Sequence, residues 1–263
     1  MLISQIFLIT LILTLVIMFL TWAYAVKIEN FSIVDAVWSF CFLIHGLVFY
    51  YLADGLIQRK LILLAMLGFW SFRLGFYLAK RIASHHPHED TRYIKLREDY
   101  GVHYKKRFLL FFFYQAISVS FLTFPFIFAF KNQATEVSNL EWLGLAAWLI
   151  AVIGESVADQ QMNSFRSNPK NKGQVCNIGL WNYSRHPNYF FESCIWWGYF
   201  IFMLATPGLI WAIYAPLSIL FLLLKVTGVP PSEAQSLKNR GEAYRRYQER
   251  TSVFVPWFPK AEK

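Results

Sequence analysis

A row of polar side chains at regular spacing is the feature of this sequence best suited to chemistry. Glu155, Asp159, Asn163 and Arg166 are separated by four, four and three residues, after a long apolar run. On a helix this spacing puts all four on one face. Because a carboxylate costs about 2.5–3.5 kcal/mol at the centre of a bilayer and less near its edge, the row is expected to line a polar cavity. The alternative is an interfacial helix end paired with other helices.

A second polar row follows in the chain. Asn188, Glu192 and Trp196 are spaced four apart and therefore share a helix face. An acid inside an apolar stretch is a functional candidate by default, and this amide, carboxylate and indole suit a flat polar ligand. A structural pairing of Glu192 with Arg185 or Arg166 is the alternative.

The elements that carry these rows belong to a membrane protein. Of the 263 residues, 56% are hydrophobic, only 16% are charged and 26 are phenylalanine, with a mean hydropathy of +0.37. A soluble fold has no core that could bury this much apolar surface. The composition excludes a soluble enzyme, a disordered tail and a collagen-like chain, and three cysteines exclude a disulfide scaffold.

Seven apolar stretches of spanning length predict an all-α polytopic membrane protein with seven transmembrane helices. They are 3–26, 33–53, 61–79, 108–130, 140–158, 190–206 and 208–225. With the N-terminus outside, 21 of the 25 basic residues fall in one set of connections, three in the other and Arg73 inside a span. This asymmetry predicts a cytoplasmic C-terminus. The expected location is a bacterial inner membrane, with the lipid bilayer as a partner.

Three polar segments, 80–107, 159–189 and 226–263, lie on the predicted cytoplasmic face. The second adds Lys172, Tyr183, Arg185 and His186 to the two rows. The third contains a short cationic helix with interleaved tyrosines. That helix could lie on anionic headgroups or bind a phosphate-bearing ligand. Nucleic acid is disfavoured as a partner because the cations face a membrane.

Several common sites are absent from the sequence. No GxGxxG or GxxxxGK[ST] motif occurs, so a dinucleotide would have to be held by helix ends and loops of the membrane domain. No Gly-x-Ser-x-Gly elbow occurs either. The run His85-His86-Pro87-His88 is a single cluster, whereas di-iron membrane enzymes need several. No metal site is predicted.

Residues 150–259 resemble the C-terminal domain of the steroid 5-alpha-reductase family, in particular its bacterial branch of uncharacterised membrane proteins. The resemblance rests on residues of both rows, the connecting loop and the tail. These are Asp159–Arg166, Gly179-Leu180-Trp181, Asn188-Tyr189, Glu192, Trp196, Glu233, Tyr244 and Pro256. A weaker similarity covers 1–107, through Asp35-x-x-Trp38, Trp70-Ser-Phe-Arg73 and Glu89–Tyr93.

The resemblance implies reduction of a carbon–carbon double bond conjugated to a ketone, with NADPH as cofactor and a hydrophobic small molecule as substrate. It divides the chain into a substrate half, 1–107, and a reductase-like half, 108–263. Together with the loop cations, it predicts a set of cofactor contacts. They are Glu155, Asp159, Asn163, Arg166, Lys172, Tyr183, Arg185, His186, Asn188, Glu192, Trp196, Arg240 and Tyr244. Glu155 stands where the steroid enzymes carry an amide.

The proton donor is predicted in the first half of the chain. The steroid enzymes use a Glu–Tyr pair that this sequence does not keep, so a steroid substrate does not follow. Asp35 and Tyr93 are the candidate catalytic donors, because a hydrogen-bond donor at the substrate oxygen lowers the barrier to hydride addition. Arg73 could equally serve to neutralise Asp35.

Two other functions remain open from the sequence. A membrane S-adenosylmethionine-dependent methyltransferase, of the isoprenylcysteine or phospholipid type, has a similar Arg-His-Pro-Asn-Tyr loop and a tail with a Glu and a Tyr pair. A transporter or assembly factor without a cofactor is the third possibility, although it leaves the polar groups of the loops unexplained.

Overall fold

The computed structural model describes residues 1–85 and 88–261, and it is all-α, as predicted. About 80% of the chain is helical, and the described residues contain no strand beyond an isolated bridge between Ser184 and Ser252. His86 and Pro87, which belong to the histidine run, lie outside the described residues. The helices form two compact units, Met1–Val137 and Ser138–Lys263.

The described residues of the first unit form five α-helices. They are α1 (Ile3–Ile28), α2 (Ile33–Leu52), α3 (Ile57–His85), α4 (Thr91–Tyr100) and α5 (Tyr104–Lys131). Its core is aromatic, with the rings of Phe31 and Phe108 stacked 4.0 Å apart. The carboxylate of Asp90 caps α4 by accepting the Arg92 backbone N–H, which an N-cap residue is expected to do.

The second unit contains six helices among its described residues. They are α6 (Asn139–Ser167), α7 (Leu180–Tyr183), α8 (Pro187–Met203), α9 (Tyr214–Phe221), α10 (Val229–Arg240) and α11 (Glu242–Arg250). A capping box between Ser138 and Glu141 starts α6. α6 then continues without interruption through all four residues of the first polar row, as their spacing predicts.

Glycines bring α6 and α8 into close contact. A Cβ added to Gly144 would lie 2.4 Å from the backbone of Phe202, and one added to Gly198 would lie 2.8 Å from the backbone of Trp148. Small residues allow helix backbones to approach in this way in membrane proteins. These two helices carry both polar rows, so the glycines help to fix the geometry of the site.

Six helical segments of the described chain are long and apolar enough to cross a membrane, which supports an integral membrane protein. They are Ile3–Ile28, Ile33–Leu52, Ile57–Ser84, Thr91–Lys131, Asn139–Ser167 and Leu209–Arg240. α8, which corresponds to the predicted span 190–206, has only 17 residues. At 1.5 Å per residue it measures about 25 Å, less than a typical hydrocarbon core of ~30 Å.

The predicted last span is helical but not one regular α-helix. A 3₁₀ segment, Leu209–Ile213, precedes α9, and a π-helical segment, Leu222–Val226, follows it. The compact units divide after Val137. The halves 1–107 and 108–263 were predicted from their expected roles in the reaction. A division into compact units does not test those roles, so the two halves stay a prediction.

Candidate functional site

The first polar row runs from the interior of the second unit to its surface. Glu155 is buried, Asp159 is half-buried, and Asn163 and Arg166 are exposed. All four lie on α6 at helical spacing, so one face of this helix changes from buried acid to exposed cation over about three turns. A ligand along this face would meet hydrogen-bond acceptors first and a guanidinium at the outer end.

The second polar row lies on α8 at the same level. Gly144 faces Phe202, Gly198 faces Trp148 and Gly154 faces Phe191, so α6 and α8 run antiparallel. Continuing this register puts Asp159 level with Asn188, and Glu155 level with Glu192. Inside this row, the indole Nε1 of the buried Trp196 donates a 2.9 Å hydrogen bond to Glu192 Oε1. Two of the three predicted residues are therefore in direct contact.

The loop between the two rows is fastened to α6. Trp181 donates from its indole to the Ala158 carbonyl at 2.9 Å, and the Leu180 backbone N–H donates to Gln161 Oε1. Gly179 has a φ of +54°, and an added Cβ would lie 2.3 Å from Gln161. The positive φ favours glycine, because L side chains rarely adopt this backbone conformation. The Gly-Leu-Trp sequence thus holds the loop against the helix that carries the first row.

Cations surround this loop. Arg240 on α10 donates to the Gln174 carbonyl at 2.8 Å, and Lys172 is exposed in the loop. Burial raises the pKa of the Cys176 thiol, and the charges of Arg166 and Arg240, which are near enough to act on it, offset part of the rise. Arg166 and Arg240 are thus brought to one loop although they lie far apart in the sequence.

Glu233 on α10 is the centre of a network that the prediction did not include among the site residues. Its carboxylate accepts from Arg185 Nε at 2.7 Å, from Gln248 Nε2 at 2.5 Å and from Tyr244 Oη at 3.3 Å. His186 Nε2 lies 3.2 Å from the same carboxylate. In the sequence Glu233 is one of several glutamates in a tail rich in arginine and tyrosine, and nothing there reveals its partners.

Arg185 and His186, both predicted to contact the cofactor, face inward to this network. Arg185 also donates from Nη1 to the carbonyls of Gln248 and Thr251, so four of its hydrogen bonds have acceptors within the unit. The imidazole of His186 is buried and stacks on Tyr189 with a centroid distance of 5.3 Å. These two residues join the loop to the tail.

The two tail tyrosines are buried in the same region. Burial and, secondly, the Glu233 carboxylate raise the pKa of Tyr244 to about 12. Burial also raises the pKa of Tyr247, whose hydroxyl donates to the Trp181 carbonyl. Both phenols therefore stay protonated at neutral pH. Tyr183, another predicted contact, is partly exposed, and its carbonyl accepts from the Trp257 backbone N–H at 2.9 Å.

The two predicted proton donors of the first unit are in contact. Tyr93 Oη donates to Asp35 Oδ1 at 2.5 Å, and Arg92 Nη2 donates to Asp35 Oδ2 at 2.9 Å. Tyr93 is buried, whereas the side chain of Arg92 is 44% exposed. The sequence identified both residues as candidate donors but did not predict that their side chains are in contact. The structure brings together a phenol, a carboxylate and a guanidinium.

An adjacent carboxylate extends this group. Asp90 accepts from Arg92 and from Arg81, which lies 2.9 Å away. Burial alone would raise the pKa of Asp90, but the hydrogen bond from Arg92 and the charge of Arg92 outweigh it and hold the pKa below its ordinary value. Arg92 is therefore shared by two carboxylates.

The α6 row lines neither of two cavities that the described residues form. The larger, of about 730 Å³, lies in the first unit among α1, α2 and α3. The smaller lies on the tail between α10 and α11.

Comparison with known proteins gives a family without a known role. A family model described as "Protein of unknown function (DUF1295)" matches residues 21–251. An uncharacterized protein of Schizosaccharomyces pombe is 25% identical over 277 aligned positions, which cover 95% of this chain and 79% of that protein. No solved structure matches the chain.

Proposed function

The chain belongs to the DUF1295 family, and we propose that it is a membrane-embedded NADPH-dependent reductase. The reaction would be reduction of a C=C bond conjugated to a ketone in a lipid- or steroid-like substrate. In this proposal residues 1–107 form the substrate half and residues 108–263 the reductase-like half, which binds the cofactor. The proposal includes seven spans, an outside N-terminus and a cytoplasmic C-terminus in a bacterial inner membrane.

The Tyr93–Asp35 hydrogen bond is the observation that carries the proposal. Reduction of an enone needs a donor for the oxygen that becomes negative, whereas transfer of a methyl group does not. Tyr93 can turn its O–H from Asp35 to a carbonyl oxygen because Arg92 still neutralises Asp35. The buried position of Tyr93 makes this donor stronger in effect than it would be in water.

The residues of the second unit fit the chemistry of a phosphorylated dinucleotide. Arg166, Lys170 and Lys172 are exposed cations around one loop, and guanidinium groups bind phosphate bidentately. Asp159 and Glu155 offer acceptors for ribose hydroxyls or a carboxamide. When bound, NADPH would supply the hydride. The protein's part is then to orient the cofactor along α6 and to exclude water near Glu155.

Arg185, His186 and Glu233 would act on the cofactor indirectly. Their mutual hydrogen bonds hold the tail against the loop, so we propose that they position Tyr244 and Arg240. Arg185 would then be a positioning residue rather than a phosphate ligand.

A methyltransferase that uses S-adenosylmethionine is the second candidate. The observation in its favour is the convergence of Arg185, His186, Glu233 and Tyr244, because the tail of those enzymes resembles this one.

Ligand-induced thermal stabilisation separates the two functions. The full chain in detergent is melted with NADPH, NADH or S-adenosylmethionine, each at a hundredfold excess over its Kd. A ligand of the folded state then adds about 2.7 kcal/mol of stability. We expect stabilisation by NADPH, together with NADPH oxidation on addition of an apolar enone. A shift with S-adenosylmethionine alone would overturn the reductase proposal in favour of the methyltransferase.

A further inference from the structure

The first unit contains a large groove whose lining includes no residue of the two polar rows. Its volume is about 730 Å³, within the range of sites for drug-sized ligands. α1, α2 and α3 all contribute lining residues. The lining is mostly apolar. The catalytic candidates Asp35 and Tyr93 do not line it.

The groove runs along a membrane-spanning surface. On α1 its lining extends from Leu20 to Ile28, about 12 Å at 1.5 Å per residue. Leu20 and Tyr24, which both line it, are 60% and 55% exposed. Because α1 is apolar and long enough to cross a bilayer, these exposed side chains face lipid. α3 lines the groove with Ala79, Ile82 and Ala83, so two of its three lining side chains are small.

One lining residue, Asn30, has a deeply buried side-chain amide. Asn30 is 1% exposed, and its Nδ2 has no hydrogen-bond acceptor among the described residues. Its Oδ1, in contrast, accepts from both the backbone N–H and the hydroxyl of Ser32. These two bonds fix the orientation of the amide. A buried donor without a partner costs about 1–3 kcal/mol, so an acceptor supplied by a ligand would relieve this cost.

The position of Asn30 indicates what that acceptor is. Asn30 follows the end of α1 and precedes α2, so it lies where two membrane-spanning helices reach the bilayer boundary. Glycerolipids have their ester carbonyls at this depth, between headgroup and acyl chain. An ester carbonyl accepts hydrogen bonds and carries no charge, which suits a buried amide donor.

We propose that the groove between α1 and α3 is a binding site for one acyl chain of a glycerolipid, with the lipid ester carbonyl accepting from Asn30 Nδ2. The site needs neither NADPH nor the Tyr93–Asp35 pair. The lipid site can therefore be confirmed or refuted independently of the proposed reductase activity.

Photo-crosslinking tests the site. The full chain, purified in detergent and depleted of lipid, is titrated with a phosphatidylcholine that carries a diazirine on its acyl chain, without NADPH. Labelled residues are then identified by mass spectrometry. We expect saturable labelling concentrated in the facing segments of α1, α2 and α3. Labelling that never saturates, or that spreads evenly over lipid-facing helices, would overturn the proposal.

Three variants sharpen the test. Ala83→Phe fills the groove from an exposed position and should reduce groove labelling about tenfold, a loss of about 1.4 kcal/mol. Ala146→Phe, on the exposed surface of α6, makes the same change elsewhere and should leave labelling unchanged. Asn30→Asp keeps the acceptor for Ser32 but removes the donor, so it should weaken labelling about fivefold or more.

Equal labelling of Ala83→Phe and the unmodified chain would exclude the groove as the lipid-binding site. Unchanged labelling of Asn30→Asp, with a melting temperature equal to that of the unmodified chain, would refute the role of the amide.

Discussion

Tyr93 on α4 donates a 2.5 Å hydrogen bond to Asp35 on α2, although 58 residues separate them in the sequence. The phenol is buried, and Arg92 holds the second carboxylate oxygen from the exposed side. In the proposed reaction Tyr93 turns its O–H from Asp35 to the substrate oxygen, where a hydrogen bond to the developing negative charge lowers the barrier.

Tyr93→Phe should therefore abolish most of the turnover and little of the stability. Loss of an oxyanion donor lowers kcat by about 10²–10³-fold. The ring contacts of Tyr93 with Phe108 and Phe111 would remain in the variant. Steady-state NADPH oxidation with an apolar enone, together with thermal melting, measures both effects.

Tyr100→Phe is the matched control, since Tyr100 lies on the same helix and also packs on Phe108. Its turnover should equal that of the unmodified chain. Full activity of Tyr93→Phe would remove Tyr93 from the mechanism.

Arg166→Ala should weaken NADPH much more than it weakens the fold. Arg166 is exposed at the outer end of the α6 row, and a hydrogen bond to a charged group contributes about 1.5–3 kcal/mol, or roughly ten- to a hundredfold in Kd. Titration calorimetry gives the affinity, and Arg246→Ala, an equal loss of charge on α11, is the control. If the free energy of unfolding fell by as much as the free energy of NADPH binding, Arg166 would have a structural role.

Glu233→Gln should release the tail. The variant leaves Arg185 without its carboxylate partner at a site where both side chains are mostly buried, and we expect a cost of about 2–4 kcal/mol. Hydrogen exchange over 244–254 and limited proteolysis report on this segment. Glu249→Gln on the exposed face of α11 should have no such effect. Unaltered protection of the tail in Glu233→Gln would contradict the network's role.

The contribution of Asp90 should depend on pH. Because Arg92 lowers the pKa of Asp90 in the folded chain, the ion pair stabilises the fold above the unfolded pKa, near 3.8. That stabilisation is lost as the pH falls through the lower folded pKa. Asp90→Asn keeps the helix cap but removes the charge. Its deficit in melting temperature should be present at pH 7 and shrink as the pH falls below the unfolded pKa toward the lower folded pKa; a deficit that does not change with pH would exclude the charge as its cause.

Gly198→Ala should disturb the contact between α6 and α8. The new methyl group would lie 2.8 Å from the Trp148 backbone, and overpacking of this kind costs about 1–3 kcal/mol. Gly68→Ala is the comparison, because its Cβ would meet only a leucine methyl group at an ordinary 3.4 Å. Thermal melting should show a loss for Gly198→Ala alone. Equal stability of both variants would mean that the close approach is not needed.

The sequence by itself determined the helical, membrane-embedded character of the chain and the polar face of α6. Both depend on local rules: a bilayer demands long apolar helices, and a 3.6-residue period aligns Glu155 with Asp159, Asn163 and Arg166. The length of α8 was less predictable, because an apolar run does not reveal where a helix of 17 residues gives way to turns.

Only the tertiary structure decided which distant side chains meet. Asp35 and Tyr93 were recognised separately and lie in contact, and Arg185, a predicted cofactor contact, binds Glu233, 48 residues away in the sequence. Such pairs depend on how helices pack and how loops return, and neither leaves a periodic signal in the sequence. The orphaned amide of Asn30 is of the same kind, since a missing partner is a property of three-dimensional surroundings alone.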